Sequence, residues 1–480
     1  DGCGSRTEIH DPVVNLVRPR VILAGKTTEI RGEHMMRAGD TRRNFLRASG
    51  AVASTGWAST YAAGGGSNPG PNDTINLALI GCGARGRGLL IPRFQTFPGV
   101  RFVAVCDVNS TYLAEGRNRA GGDQVAAYKD YRKLLEDKNV DAVIIATNQQ
   151  WHVLPMIAAC QAGKDVYLEK PLGNSVGEGP FAIQAWHKYK RIVQVGTQQR
   201  SQEHYRQAVE LIRTGKLGEI SEVRVWDYEN YWPGAGSPAD TDPPAELDWN
   251  FFVGPSPYRA YNPNMYYNYG YDWFRVSGAG HQVAWGVHHF DIVLWAMGVN
   301  SPKAVHATGG NFAFEDNHDY PNTFSATLEF GPGPVARRGF VLQYTMRTGC
   351  RREMRSHGKC FMGSEASMVL DRSGYTIVRE VHRGQKLNPA GAFVNPEVTV
   401  AAKDDHLYHF ELFLKNLRER KQPEANPETC HHATALGHLM NISWEVGRSI
   451  RWDGSKNLVL DDPQANALVM RPYRAPWKLE

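Results

Sequence analysis

The first residues with the types and spacing to do chemistry are Gly81-Cys82-Gly83-Ala84-Arg85-Gly86, a G-x-G-x-x-G string. It follows a short apolar run, residues 75–80, and opens a helix-like stretch from Arg87. Glycines at those places permit a tight turn and a close approach of backbone amides to a pyrophosphate at a helix start. A second apolar run, residues 100–106, ends at Asp107, 21 residues beyond Gly86. A carboxylate there accepts hydrogen bonds from an adenosine ribose and repels a ribose phosphate, so NAD is expected as cofactor rather than NADP. The plainer alternative, a glycine turn and a strand-capping aspartate, leaves the spacing to coincidence.

Two further groups have the chemistry to take a hydroxyl proton. Glu169-Lys170-Pro171 closes an apolar run. Carboxyl ends of strands line the crevice of a doubly wound sheet, which aims Lys170 at the nicotinamide rather than at solvent. Lysine at its ordinary pKa near ~10.4 is a poor base, but burial and a cationic ring both disfavour its charged form. In the second half, His281, His288, His289 and Asp291 fall close together. They read either as catalytic groups, as a hydrogen-bonded helix start, or as a metal site. Zinc would need three converging ligands, and no metal is expected.

These groups need elements to hold them. Apolar runs at 142–146, 166–168 and 192–195 alternate with amphipathic stretches at 131–135, 153–162 and 179–189. Strand, helix, strand with short connections predicts an α/β, doubly wound parallel sheet of the Rossmann type over residues 74–196. Strand-like stretches at 303–308, 323–330, 335–346, 368–370 and 376–381 predict a largely antiparallel open sheet within an α+β domain spanning 197–480. Helical patterns at 406–420 and 430–447 return over the body.

With these pieces in place the chain resembles the Gfo/Idh/MocA family of sugar and polyol dehydrogenases. The resemblance rests on the glycine fingerprint, Ala146-Thr147 with Trp151-His152, Glu169-Lys170-Pro171, Trp285-Gly286-Val287-His288-His289-Phe290-Asp291, and a tail with Arg471-Pro472-Tyr473 and Pro476-Trp477. It covers nearly all of residues 74–480, and the tail resembles exported bacterial members. It implies cofactor contacts from Gly81, Gly83, Ala84, Arg85, Gly86, Asp107, Thr147, His152, Glu169 and Lys170. It implies Lys170 and His288 as the catalytic pair, with Arg200, in Gln198-Gln199-Arg200, along the cleft together with His288 and Asp291. The open sheet face is the dimerisation surface in relatives, so a homo-oligomer is expected. One departure stands out. Many relatives carry an aspartate four residues before that histidine, where this chain has Ala284. The role is then empty, or has moved to Gln282 or Asp291.

Fifteen aromatic residues fall between Trp226 and Phe274, among Pro, Asn, Gly and Asp. Aromatic faces stack on sugar rings while polar tips bind hydroxyls, so Trp226, Tyr231, Trp232 and Trp273 are candidate substrate contacts. Tyr228, Tyr266, Tyr267, Tyr269 and Tyr271 belong to the same group. The alternative is an insertion packed on its own aromatics, or a subunit interface.

With 480 residues, 42% of them hydrophobic, the chain is long enough for two domains, and no apolar run of membrane-spanning length occurs. The formal charge of +5 lies partly in residues 1–64, which hold nine Lys/Arg against six Asp/Glu, so nucleic-acid binding has no electrostatic footprint. Thr41-Arg42-Arg43-Asn44-Phe45-Leu46, with the weakly apolar stretch after it and the Gly/Pro linker at 64–71, reads as a twin-arginine export signal within a leader of residues 1–73. That predicts a periplasmic or otherwise exported protein. Seven scattered cysteines give no zinc ribbon or disulfide framework, and only Cys350 and Cys360 invite a bridge. Three functions remain: an exported NAD-dependent oxidoreductase acting on a secondary hydroxyl of a sugar, polyol or glycoside; a redox-neutral enzyme using transient oxidation; and a non-catalytic sugar-binding protein.

Overall fold

The computed structural model describes residues 74–267, 270–351, 355–381 and 398–479. The twin-arginine string, the rest of the leader and Tyr269 lie outside the described residues. Six strands form the nucleotide-domain sheet: β1 (Ile75–Ile80), β2 (Val100–Cys106), β3 (Ala126–Tyr128), β4 (Ala142–Ile145), β5 (Asp165–Leu168) and β6 (Val193–Val195). Their order is β3-β2-β1-β4-β5-β6, and every pairing is parallel. The apolar runs are continuous rather than alternating because both faces are covered. Ala78 and Ile80 pack into one layer, and Leu77 and Leu79 into the other. The short edge strand β3 carries no run the sequence pattern could register.

The crossovers are helical. A π-turn over Gly86–Leu90 runs into α1 (Ile91–Phe94), followed by α2 (Ser110–Ala120), α3 (Tyr131–Leu135), α4 (Val153–Gln161) and α5 (Glu178–Tyr189). Asn109 and Asp130 cap α2 and α3 with their side-chain oxygens. The helix α6 (Glu203–Arg213) then leads into the second sheet.

That sheet has ten strands: β7 (Ile220–Tyr228), β8 (Ala304–Gly310), β9 (Thr323–Phe330), β10 (Phe340–Arg347), β11 (His357–Gly363), β12 (Ala366–Asp371), β13 (Gly374–Arg379), β14 (Val398–Ala401), β15 (Ile450–Asp453) and β16 (Leu458–Leu460). Their order is β14-β13-β12-β11-β7-β10-β9-β8-β15-β16. Among the described strands β7 and β10 pair in parallel, and the remaining pairs are antiparallel. β9 alternates buried and exposed residues, the mark of a sheet covered on one face. The expected strand from residue 335 begins only at Phe340, because Gly339 turns at φ +90°. β7 itself escapes sequence reading, since its Trp226 and Tyr228 look like the start of the aromatic insertion.

Between β7 and β8 lie that insertion, with α7 (Trp249–Val253), and the two consecutive helices α8 (His281–Ala284) and α9 (Gly286–Met297). Near the end of the chain, α10 (Leu407–Glu419) brings Phe410 and Phe413 onto Phe94 and Tyr167 of the nucleotide domain. The long helix α11 (Pro427–Val446), with Asn426 and Thr429 forming a capping box, buries most of its length. Cys350 is exposed and Cys360 is buried, and the two form no bridge with each other. Among the described residues no helix is long and apolar enough to cross a membrane.

Candidate active site

The glycine loop is built as its spacing requires. Gly81 sits at φ +97° with its α-carbon pressed against the Ala146 backbone, where a Cβ would come within 2.6 Å of the carbonyl oxygen. A Cβ on Gly86 would collide with the Gly81 carbonyl, while one on Gly83 would meet open space. The first and third glycines thus close the turn, and the second leaves the approach free for a pyrophosphate. Ala84 is exposed at the top of the loop. Asp107 ends β2 and receives the Cys82 N–H on Oδ2 at 2.6 Å and the Asn109 N–H on Oδ1 at 2.8 Å. Burial raises its carboxyl to about 6 despite those amides. Each oxygen keeps a second lone pair, so the carboxylate can hold a ribose as well as the loop. These residues fit a dinucleotide.

The carboxyl ends of β4 and β5 carry the next groups. Arg85 of the glycine loop pairs with buried Glu169, Nε to Oε1 at 2.9 Å, so Glu169 anchors the loop. Thr147 turns inward, its hydroxyl donating to the Trp151 carbonyl. His152, expected at the cofactor, instead braces two turns. Its ring nitrogens face the Pro171 carbonyl at 2.5 Å and the Thr147 carbonyl at 3.1 Å, and burial favours the neutral ring. Lys170 projects into the cleft, where Nζ donates to the Ala284 carbonyl at 2.6 Å. Burial pushes its pKa below the ordinary lysine value, against the opposing pull of Asp272 and Glu169.

Across the cleft, His288 lies one helical turn beyond Ala284. Burial, then the nearby Lys170 charge, holds its ring neutral, and its Nδ1 is buried without a partner. Trp285 packs edge-on to it at 5.6 Å. Trp273 is buried and stacked between His281 (5.6 Å) and His318 (5.4 Å), which cover both its faces, with Tyr231 edge-on at 6.5 Å. His281 Nε2 lies 2.7 Å from Asp227 Oδ2. Burial works against a charge on that ring, but Asp227, Asp272 and Glu229 outweigh it and raise the pKa.

Three expectations are corrected. Arg200 and Asp291 are spent on each other, with a bidentate ion pair of 2.6–3.1 Å in which both side chains are buried. Trp226 faces away from the cleft. Its neighbour Asp227 points at His281, and successive strand residues point to opposite faces. Trp226 lines a groove of about 530 Å³ on the open sheet face with Arg224, His306 and Gln343. Trp232 is 65% exposed and stacks on nothing in the site. Neither proposed substitute for the missing acid at 284 serves, because Gln282 is bonded to Asn441 and Asp291 to Arg200. Asp272, which sequence reasoning passed over, supplies a carboxylate instead, held by Gln149 Nε2 at 2.8 Å. No motif spacing marks it, since it sits among the insertion's aromatics. Among the described residues no group of three or more His, Cys, Asp or Glu is arranged to hold a metal ion.

A parallel Rossmann sheet with a dinucleotide cradle, facing a lysine and a histidine beneath a mixed sheet, defines a two-domain nicotinamide-dependent protein. Residues 75–197 match the oxidoreductase family's NAD-binding Rossmann fold, and residues 392–479 match its C-terminal alpha/beta domain. The chain matches the Gfo/Idh/MocA oxidoreductase family over those two segments. It is similar to an inositol 2-dehydrogenase of Salmonella paratyphi B, 34% identical over 30% of this chain and 44% of that protein. The aligned segment thus spans less than half of that relative. A myo-inositol 2-dehydrogenase of Thermotoga maritima is 24% identical over 78% of this chain and 98% of its own length. The fold is shared with the WlbA dehydrogenase of Bordetella pertussis, solved with NADH and UDP-GlcNAcA: TM-score 0.58, 18% identity, 79% of this chain and 99% of that one.

Proposed function

We propose that the protein is an exported NAD-dependent oxidoreductase that oxidises a secondary hydroxyl of a sugar, polyol or glycoside. The observation that carries this reading is the meeting of Lys170 with the α8–α9 turn that bears His288, at the carboxyl end of the nucleotide-domain sheet. Gly81, Gly83, Gly86 and Asp107 would hold NAD, which supplies a hydride acceptor in the cleft when bound. Lys170 takes the hydroxyl proton onto Nζ; its lowered pKa favours the free amine that can accept it. His288, kept neutral, offers a hydrogen bond to the same hydroxyl without adding a competing positive charge. Tyr231, exposed and edge-on to the buried Trp273, offers a face on which a sugar ring would stack. The names of the inositol dehydrogenase relatives support a polyol as first substrate to try.

A second reading keeps weight for one reason. The insertion is tied over the Asp107–Asn109 loop, where Ser110 N–H donates to Glu246 O at 2.8 Å and Asn109 Nδ2 to Tyr266 Oη at 2.9 Å. A cofactor held beneath such a tie suits redox-neutral turnover, in which the hydride returns to the substrate. Mixing the protein and NAD with inositols, hexoses and glycosides separates the readings by nicotinamide absorbance and product analysis. Net reduction is expected, and Lys170→Ala should lower it by about 10²- to 10⁴-fold with NAD affinity retained. Turnover without net reduction would favour the second reading, and no turnover with tight sugar binding would favour a non-catalytic binder.

A further inference from the structure

Asp272 lies in a single 3₁₀ turn, Gly270–Trp273, of the aromatic insertion. Its position is fixed from two sides. Gln149, in the loop after β4, donates Nε2 to Oδ1 at 2.8 Å, and Gly280 N–H, just before α8, donates to the Asp272 carbonyl at 2.7 Å. Gly278 packs so closely that a Cβ there would come within 2.6 Å of the Asp272 Cα. The carboxylate is therefore clamped between the nucleotide domain and the start of the helix whose last residue, Ala284, accepts the Lys170 hydrogen bond.

We propose that Asp272 is the positioning carboxylate of Lys170, supplied by the insertion in place of an acid at residue 284. Proton transfer from the substrate hydroxyl creates an ammonium on Nζ in a largely desolvated setting, and the Asp272 charge, acting through space without an ion pair, lowers the cost; burial pushes the Asp272 carboxyl up, while Lys170 and the Gln149 bond favour its ionised form. The bond from Gln149 keeps the carboxylate from turning away. The other groups that face Lys170 do not duplicate this role. Glu169 is paired with Arg85, and Arg85 and Arg372 oppose the ammonium. His288 and His152 are held neutral by burial and carry no charge to offset it. Asp272 is the strongest of the influences that keep the proton on Lys170.

This inference rests on Lys170 as the proton acceptor, yet its test needs no turnover. Full-length wild-type and Asp272→Asn proteins are treated with acetic anhydride across neutral and alkaline pH, and acetylation of the Lys170 peptide is followed by mass spectrometry. Removing the negative charge destabilises the ammonium, so the midpoint for Lys170 should fall by about 1 pH unit or more. Asp272→Ala carries the same expectation if the Asn variant does not fold, and NAD binding followed by protein fluorescence reports that the cleft is intact. An unmoved midpoint in a folded variant overturns the role, whatever happens to turnover. A midpoint that moves in a protein that oxidises none of the inositols, hexoses and glycosides upholds the coupling of Asp272 to Lys170 and counts against the oxidoreductase reading instead.

Discussion

Replacing Asp107 tests how the cofactor is chosen, and the structure sets both the size and the pH dependence of the effect. The carboxylate has two tasks, since its oxygens hold the Cys82 and Asn109 amides at 2.6 and 2.8 Å and their remaining lone pairs face the ribose position. A hydrogen bond to a charged group contributes about 1.5–3 kcal/mol, so Asp107→Ala should weaken NAD by roughly 10- to 150-fold through the ribose alone. NADP should lose less, because the variant no longer repels a ribose phosphate, and discrimination narrows. Asp107→Asn separates the tasks, because its single acceptor oxygen can keep only one of the two loop amides. The carboxyl ionises near pH 6, and its charged form lies above that value. In the wild type, NAD affinity should therefore rise as pH climbs through about 6, with discrimination against NADP rising alongside it, and Asp107→Ala should lose both trends. Fluorescence titration of both cofactors at several pH values measures this. Equal affinities in wild type and variant, with no pH trend in either, would refute the ribose assignment.

Breaking the buried Arg200–Asp291 pair by Asp291→Ala should destabilise the protein by about 3–5 kcal/mol, since it strands a buried guanidinium. The double variant Arg200→Met/Asp291→Leu should melt closer to wild type, and calorimetry with unchanged substrate KM in the double variant would confirm a structural pair. Trp226→Ala should leave KM for the polyol unchanged while Tyr231→Ala raises it, as steady-state kinetics will show; a reversal would put the substrate on the open sheet face. Changing Arg42 and Arg43 together to Lys should trap the protein inside the cell, and normal periplasmic accumulation in a fractionation assay would count against export by that route.

The nucleotide domain was legible because its rules are local. A glycine fingerprint, apolar runs of strand length and an acid at the end of the second run each sit within a few residues of what they contact, so Gly81, Gly86 and Asp107 fall where their spacing places them. Lys170 follows from the same logic, since strand ends in such a sheet line the crevice. His152 misleads because the structure uses it as a brace between two turns of that domain, a role that adjacency to Thr147 does not announce.

The second domain's half of the site depends on contacts between distant segments. Trp226 and Asp227 differ by one position in β7, and that position decides which faces the cleft; a strand unrecognised in sequence gives no face to either. Arg200 and Asp291 both carry the right chemistry for a sugar, but a long-range pairing removes them from it. Asp272 and Trp273 share one turn of the insertion, so the carboxylate that acts on Lys170 and the ring that Tyr231 meets edge-on are parts of a single segment. An acid on the helix at 284 would be independent of that ring. Here a change of loop conformation that shifts the Tyr231–Trp273 contact also moves the charge that favours the proton on Lys170, so substrate fit and base strength are set together.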